Sequence, residues 1–168
     1  FGILSMFFAG MVSFLVYAQT ESQEEESGLT EHLDTIIPAN ITFNNEQGQP
    51  VFIKNLISKP TILCLVYFDC MGVCPQILSG VSDVIEKMGM ELGKDFQVIT
   101  VSFNNDDTPA KAVEKKQNFL RQHSRPHAGD WYYLTSDTSN INSLTHAVGF
   151  KFTRAGNDFI HPACILVL

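Results

Sequence analysis

A six-residue apolar run, Thr61-Ile62-Leu63-Cys64-Leu65-Val66, leads directly into Tyr67-Phe68-Asp69-Cys70-Met71-Gly72-Val73-Cys74-Pro75. Behind that turn Ile77, Leu78, Val81, Val84, Ile85, Met88 and Leu92 recur at helical spacing, with Asp83, Glu86, Lys87 and Glu91 between them. The first run reads as a buried strand and the second as an amphipathic helix. Two thiols therefore stand at a strand's carboxyl end and a helix's amino end, where the dipole and unpaired N–H groups favour thiolate. Pro75 suits the first helical position, which needs no N–H, and Gly93 suits the helix's C-terminal cap. The spacing brings both sulfurs to one side of a single turn, close enough for a disulfide or for one soft metal ion. On spacing alone a metal site, a redox pair and a plain stabilising disulfide stand level. A disulfide closing so short a loop restrains little chain entropy, so stability is a poor reason for it.

The pattern then repeats. Phe96–Phe103 (FQVITVSF) is a second buried strand, and Thr108-Pro109 opens a helix that runs to about Gln122. Strand, helix, strand, helix is the order of a parallel α/β unit. Asn104-Asn105-Asp106-Asp107 reads as loop and cap, although such strand ends are where these folds place function. Upstream, Ile41-Thr42-Phe43 and Val51-Phe52-Ile53 flank a polar, glycine-containing turn and predict a β-hairpin. Trp131–Leu134 is a short aromatic strand, read as core or rim. Ile141, Leu144 and Val148 mark a further helix ended by Gly149, with His146 facing solvent. His123 and His127 are spaced like a metal pair, but Pro126 breaks the helix that would align them.

The chain divides into three. Residues 1–18 (FGILSMFFAGMVSFLVYA) are uncharged and apolar, which predicts a signal peptide ahead of an uncleaved membrane anchor. Residues 19–35, centred on Glu24-Glu25-Glu26, predict an acidic flexible linker. Residues 36–168 are long enough for one folded domain with a real core. Either reading of the leader exports the protein. A net charge of −7 argues against a nucleic-acid partner, which would want a basic face.

Y-x-x-C-x-x-x-C-P after an apolar strand resembles the Sco/SenC family of thioredoxin-like copper proteins. The resemblance continues through Val101-Ser102-Phe103, Asp107-Thr108-Pro109 and Gly149-Phe150 to His161, covering residues 41 to 168. It implies a thioredoxin-like mixed sheet flanked by helices, with the hairpin added at the N-terminal side. The last strand would pair antiparallel beside the central one, with Pro162 as a cis-proline facing the cysteine turn. The family would continue with another strand and helix, so the sequence reads as truncated at its C-terminus.

The resemblance also implies a metal set of Cys70, Cys74 and His161. Two thiolates and an imidazole suit Cu(I) and can also hold Cu(II), whereas structural zinc wants four protein ligands. The family often has an Asp-His pair where this chain has Ile160-His161-Pro162, and a proline and an arginine near residues 104–107 that are absent here. Cys64 and Cys164 alternate within strands and read as small buried hydrophobes, with a disulfide between them conceivable. Met88 lies on the core stripe, so packing is preferred to a methionine copper site. The implied function is a copper metallochaperone delivering copper to the copper site of a respiratory cytochrome c oxidase, with reduction of that site's thiol pair by the same cysteines a coupled role. Its partner would be the oxidase's copper-site subunit or another copper chaperone, met in the bacterial periplasm or at the inner membrane facing it. The alternative is an enzyme, a thiol–disulfide oxidoreductase with Cys70 as nucleophile and Cys74 beside it. Against that stands the absence of ordinary two-residue thioredoxin spacing. Asp69, beside Cys70, would slightly oppose thiolate formation in either reading. A peroxidase is disfavoured because its Pro-x-x-x-Thr-x-x-Cys constellation is missing.

Overall fold

A computed structural model describes residues 27–123 and 130–168. The proposed leader, residues 19–26 of the acidic segment and the interval holding His127 lie outside these residues, as does the His123 side chain. Among the described residues no helix is long and apolar enough to cross a membrane.

The elements follow in order as β1 (Gly28–Leu29), β2 (Thr42–Asn44), β3 (Pro50–Phe52), α1 (Ile53–Leu56), β4 (Thr61–Val66) and α2 (Val73–Lys87). They continue as β5 (Gln97–Ser102), α3 (Pro109–His123), β6 (Trp131–Leu134), α4 (Thr138–Ala147) and β7 (Phe150–Lys151). The chain closes with β8 (Thr153–Ala155), β9 (Asp158–Ile160) and β10 (Leu166–Val167). The central sheet has the order β10-β4-β5-β6. Strands β4, β5 and β6 are parallel, and β10 pairs antiparallel with β4 at Leu166↔Leu63 and Val167↔Ile62. This is the mixed, helix-flanked, thioredoxin-like sheet that the sequence predicts.

Burial explains the composition of the strands. Strand β5 is buried along its whole length and β4 nearly so, which is why both read as near-continuous apolar runs rather than alternating ones. Each fully buried Val, Leu or Ile there contributes on the order of 2 kcal/mol. The polar exceptions are satisfied: the Trp131 indole N–H donates to Thr100 Oγ1 at 2.8 Å, and Gln97 Nε2 donates to Thr61 Oγ1 at 2.9 Å. Trp131, Tyr133 and Leu134 belong to the core, not to a binding platform. Met88 packs against the core as expected, and His146 is exposed.

Several local expectations change. Helix α2 begins at Val73, so Pro75 is its third residue; the N–H groups of a first turn lack partners anyway, and proline is tolerated there too. The helix ends at Lys87, where Met88 turns extended. Gly93 instead occupies a separate turn at φ 91°, its N–H donating to Phe96 O at 2.8 Å. Ile53 opens the short helix α1 instead of extending the hairpin strand. No cis peptide occurs among the described residues, so the bond before Pro162 is trans, the isomer favoured even for proline. Within the segment read as a linker, Gly28 and Leu29 pair with Lys151 and Phe150, well before Ile36. Gly149 makes that docking possible. A Cβ there would stand 1.8 Å from the Thr30 carbonyl oxygen, and its φ of 69° suits only glycine.

Candidate metal centre

The parallel pairing of β4 and β5, with Val66 opposite Ser102, delivers the cysteine turn and the loop after β5 to the same carboxyl end of the sheet. Phe103 N–H donates to Val66 O at 2.8 Å there. The cysteine turn is then fixed by charge. Asp107 Oδ2 accepts from Phe68 N–H at 2.8 Å and from Ser102 Oγ at 2.6 Å, while Lys115 Nζ donates to Phe68 O at 2.6 Å. Lys111 bridges the buried Asp107 carboxylate (2.9 Å) and the exposed Asp69 carboxylate. Burial works against the Lys111 ammonium, but its bonds to Asp69 and Asp107 win and hold its pKa above the ordinary value. Asp69 is therefore partnered, not a bare charge beside Cys70.

Both thiols are sheltered, Cys70 at 4% and Cys74 at 1% exposure, while Met71 between them is 95% exposed. Gly72 caps α2 without a side chain. Cys70 Sγ takes that place, accepting the Cys74 N–H at 3.4 Å. The helix terminus does not make Cys74 a ready thiolate, however. Burial pushes its pKa well up, hydrogen bonding and charge from Cys70 add to the rise, and Lys115 only partly opposes it.

His161 arrives from the other end of the domain, just after β9. Its ring lies among Tyr67 (5.8 Å between centroids, 88°), Phe103 (5.2 Å) and Phe150 (6.5 Å). His161 Nδ1 is 3.0 Å from the Pro162 carbonyl, which can only accept, so Nδ1 carries the proton. Nε2 is then the ring's acceptor, and it faces the Cys74 thiol with Sγ at 3.6 Å. The backbone carbonyl thus does the orienting work expected of the missing Asp-His carboxylate. One donor atom each from Cys70, Cys74 and His161 lies within 4.8 Å of the others. All three residues singled out in the sequence come together. They form a soft donor set of two sulfurs and one imidazole nitrogen, suited to a soft ion in a three-coordinate site.

The family model described as SCO1/SenC matches residues 30–167. The chain belongs to the SCO1/SenC family. No curated protein matches it. Among solved structures it is similar to a proposed electron transfer protein from Aquifex aeolicus VF5, at 36% identity over 82% of this chain and 78% of that one, TM-score 0.69. A proposed electron transport protein from the same organism is 33% identical over 82% and 81%, TM-score 0.65. Bradyrhizobium japonicum ScoI with copper bound is 25% identical over 76% and 80%, TM-score 0.58.

The remaining cysteines stand apart from this SCO1/SenC centre. Cys64, Cys70, Cys74 and Cys164 are all free thiols. Burial pushes the Cys64 thiol up to about 12, with Cys164 adding to the rise, and burial also raises Cys164. Cys64 behaves as the small buried hydrophobe its strand position predicts. Asp107, Lys111 and Lys115 are the residues that sequence reasoning missed. The available signal was an acid at the carboxyl end of the neighbouring strand with a lysine four residues on.

Proposed function

We propose that this SCO1/SenC protein is a copper metallochaperone that binds Cu(I) through Cys70 Sγ, Cys74 Sγ and His161 Nε2. The observation carrying the proposal is the convergence of these three donors within 4.8 Å from segments 87 residues apart, with the imidazole lone pair turned toward Cys74. Likeness to a copper-bound ScoI supports the choice of ion. When bound, the ion replaces thiol protons, which offsets the burial cost that keeps Cys74 neutral. Delivery proceeds by thiolate-for-thiolate exchange, so that the ion is shared between donor and acceptor sulfurs and never released. The recipient is the copper-site subunit of a respiratory cytochrome c oxidase or another copper chaperone. The meeting place is the periplasm, with the protein exported or anchored through residues 1–18.

A second reading, thiol–disulfide exchange, draws on the two sulfurs sharing one turn. Cys70 and Cys74 would form a disulfide, passing two electrons and two protons to a partner's disulfide. The burial of both thiols, which shields them from a partner's disulfide, and the imidazole beside them favour the metal reading.

The deciding experiment is an anaerobic Cu(I) titration of the reduced protein against a chromophoric chelator, beside His161→Ala. Tight one-to-one binding that weakens at least about tenfold in the variant is expected. Binding indifferent to His161 would overturn the three-donor site and turn attention to disulfide-exchange rates of Cys70 and Cys74.

A further inference from the structure

The three donors come from two separately held pieces of chain, and one residue touches both, one by its backbone and the other by its side chain. Tyr67 is the last residue before the cysteine turn. Its carbonyl accepts the Cys70 N–H at 3.3 Å. Its ring stands edge-on to the His161 imidazole and packs on Phe159 at 5.0 Å between centroids. Its hydroxyl donates to the Asp158 carboxylate, on β9, three residues before His161.

We propose that Tyr67, through its hydroxyl bond to Asp158, is the positioning residue that aims His161 at the two thiols. The proposal rests on the reading of Cys70, Cys74 and His161 as one metal-holding set. Packing alone does not account for the arrangement. Phe103 and Phe150 already wall the imidazole with apolar surface, and a phenylalanine at 67 would extend that wall equally well. Stacked rings slide at little cost, whereas a hydroxyl–carboxylate bond is directional and charge-assisted. It ties β9, which leads into His161, to the end of β4, which leads into the cysteine turn. Asp158 Oδ1 also accepts Phe159 N–H at 3.0 Å, which orients the carboxylate. A second polar tie of the β8–β9 hairpin, Arg154 to Asp106 at 2.8 Å, joins two exposed side chains and holds little.

The test uses Tyr67→Phe, Asp158→Ala and their combination, each also in a His161→Ala background. Nitrogen-15 spectra of the imidazole in the metal-free protein read positioning without copper. The wild type is expected to keep its proton on Nδ1, and Tyr67→Phe to give a mixture of tautomers. Anaerobic Cu(I) titration should show each single change weakening binding about tenfold. The double change should add nothing beyond about twofold, and Tyr67→Phe should have no effect once His161 is gone. Unchanged imidazole spectra in Tyr67→Phe would overturn the proposal. So would a loss of affinity that persists without His161, because Tyr67 would then act on the thiols. If the wild type binds copper without using His161, the parent reading fails while the imidazole spectra still decide the positioning role.

Discussion

The cysteine turn and the histidine arm meet at one triangle of donor atoms, yet they are held by opposite means. The turn is fixed by charge: Asp107 and Lys115 take both backbone groups of Phe68, and Lys111 joins Asp107 to Asp69. The arm is held mainly by rings: Tyr67, Phe103 and Phe150 surround His161, and its polar ties are few, the Tyr67 hydroxyl to Asp158 and the imidazole to its own neighbour's carbonyl. A dense polar network holds the short turn rigidly, whereas aromatic packing fastened by a single directional cross-tie holds the arm largely by area and shape. The difference implies that the two halves of the site fail separately.

The largest separation should come from Phe103→Ala. Phe103 packs on Tyr67, Phe150, Phe152, Phe159 and His161, and its loss is expected to cost about 4 kcal/mol in urea unfolding. Imidazole resonances should broaden in that variant while those of Cys70 and Cys74 hold their positions. Asp107→Ala should do the reverse. It leaves Phe68 N–H and Ser102 Oγ without their acceptor and Lys111 without its buried partner, costing about 3 kcal/mol. Chemical-shift changes confined to the histidine arm in that variant would break the comparison.

A smaller effect concerns pH. The Cys74 pKa is raised, so its thiol stays protonated through the neutral range and copper must displace that proton. Affinity should therefore rise with pH, about tenfold per unit for each proton displaced, when titrations at pH 6, 7 and 8 are compared. A flat profile would mean that the thiol is already ionised. The smallest change is expected from Thr108→Ala. Its Oγ1 accepts the Lys111 N–H at 3.3 Å as the cap of α3, and its loss should cost about 1 kcal/mol in thermal or urea unfolding. Because the same helix carries Lys111 and Lys115, the cysteine turn should loosen slightly while His161 does not move.

The parts of this protein legible in sequence are those encoded by local periodicity. Strands β4 and β5 announce themselves as apolar runs, α2 and α3 by spacing and by the Thr108-Pro109 start, and the donor triangle by its motif together with the family resemblance. What escaped was set by distant neighbours. Asp107 reads locally as a loop and cap residue because its partner Phe68 lies 39 positions away, adjacent only once β4 and β5 pair. The helix dipole favoured thiolate, but the depth of Cys74 is a property of the whole packed domain, and burial raises its pKa. Likewise, the acidic segment gave no hint that Gly28–Leu29 docks, because the space over Gly149 exists only in the folded state.

That docking gives the domain a mechanical axis. The β1–β7 ladder is two rungs long, and one of them joins Leu29 to Phe150, whose ring adjoins His161. A pull along the chain ahead of Gly28 therefore reaches Phe150 before it reaches the central sheet. The histidine side of the triangle takes the load first, and the thiol side, anchored by Asp107 and Lys115, takes it last.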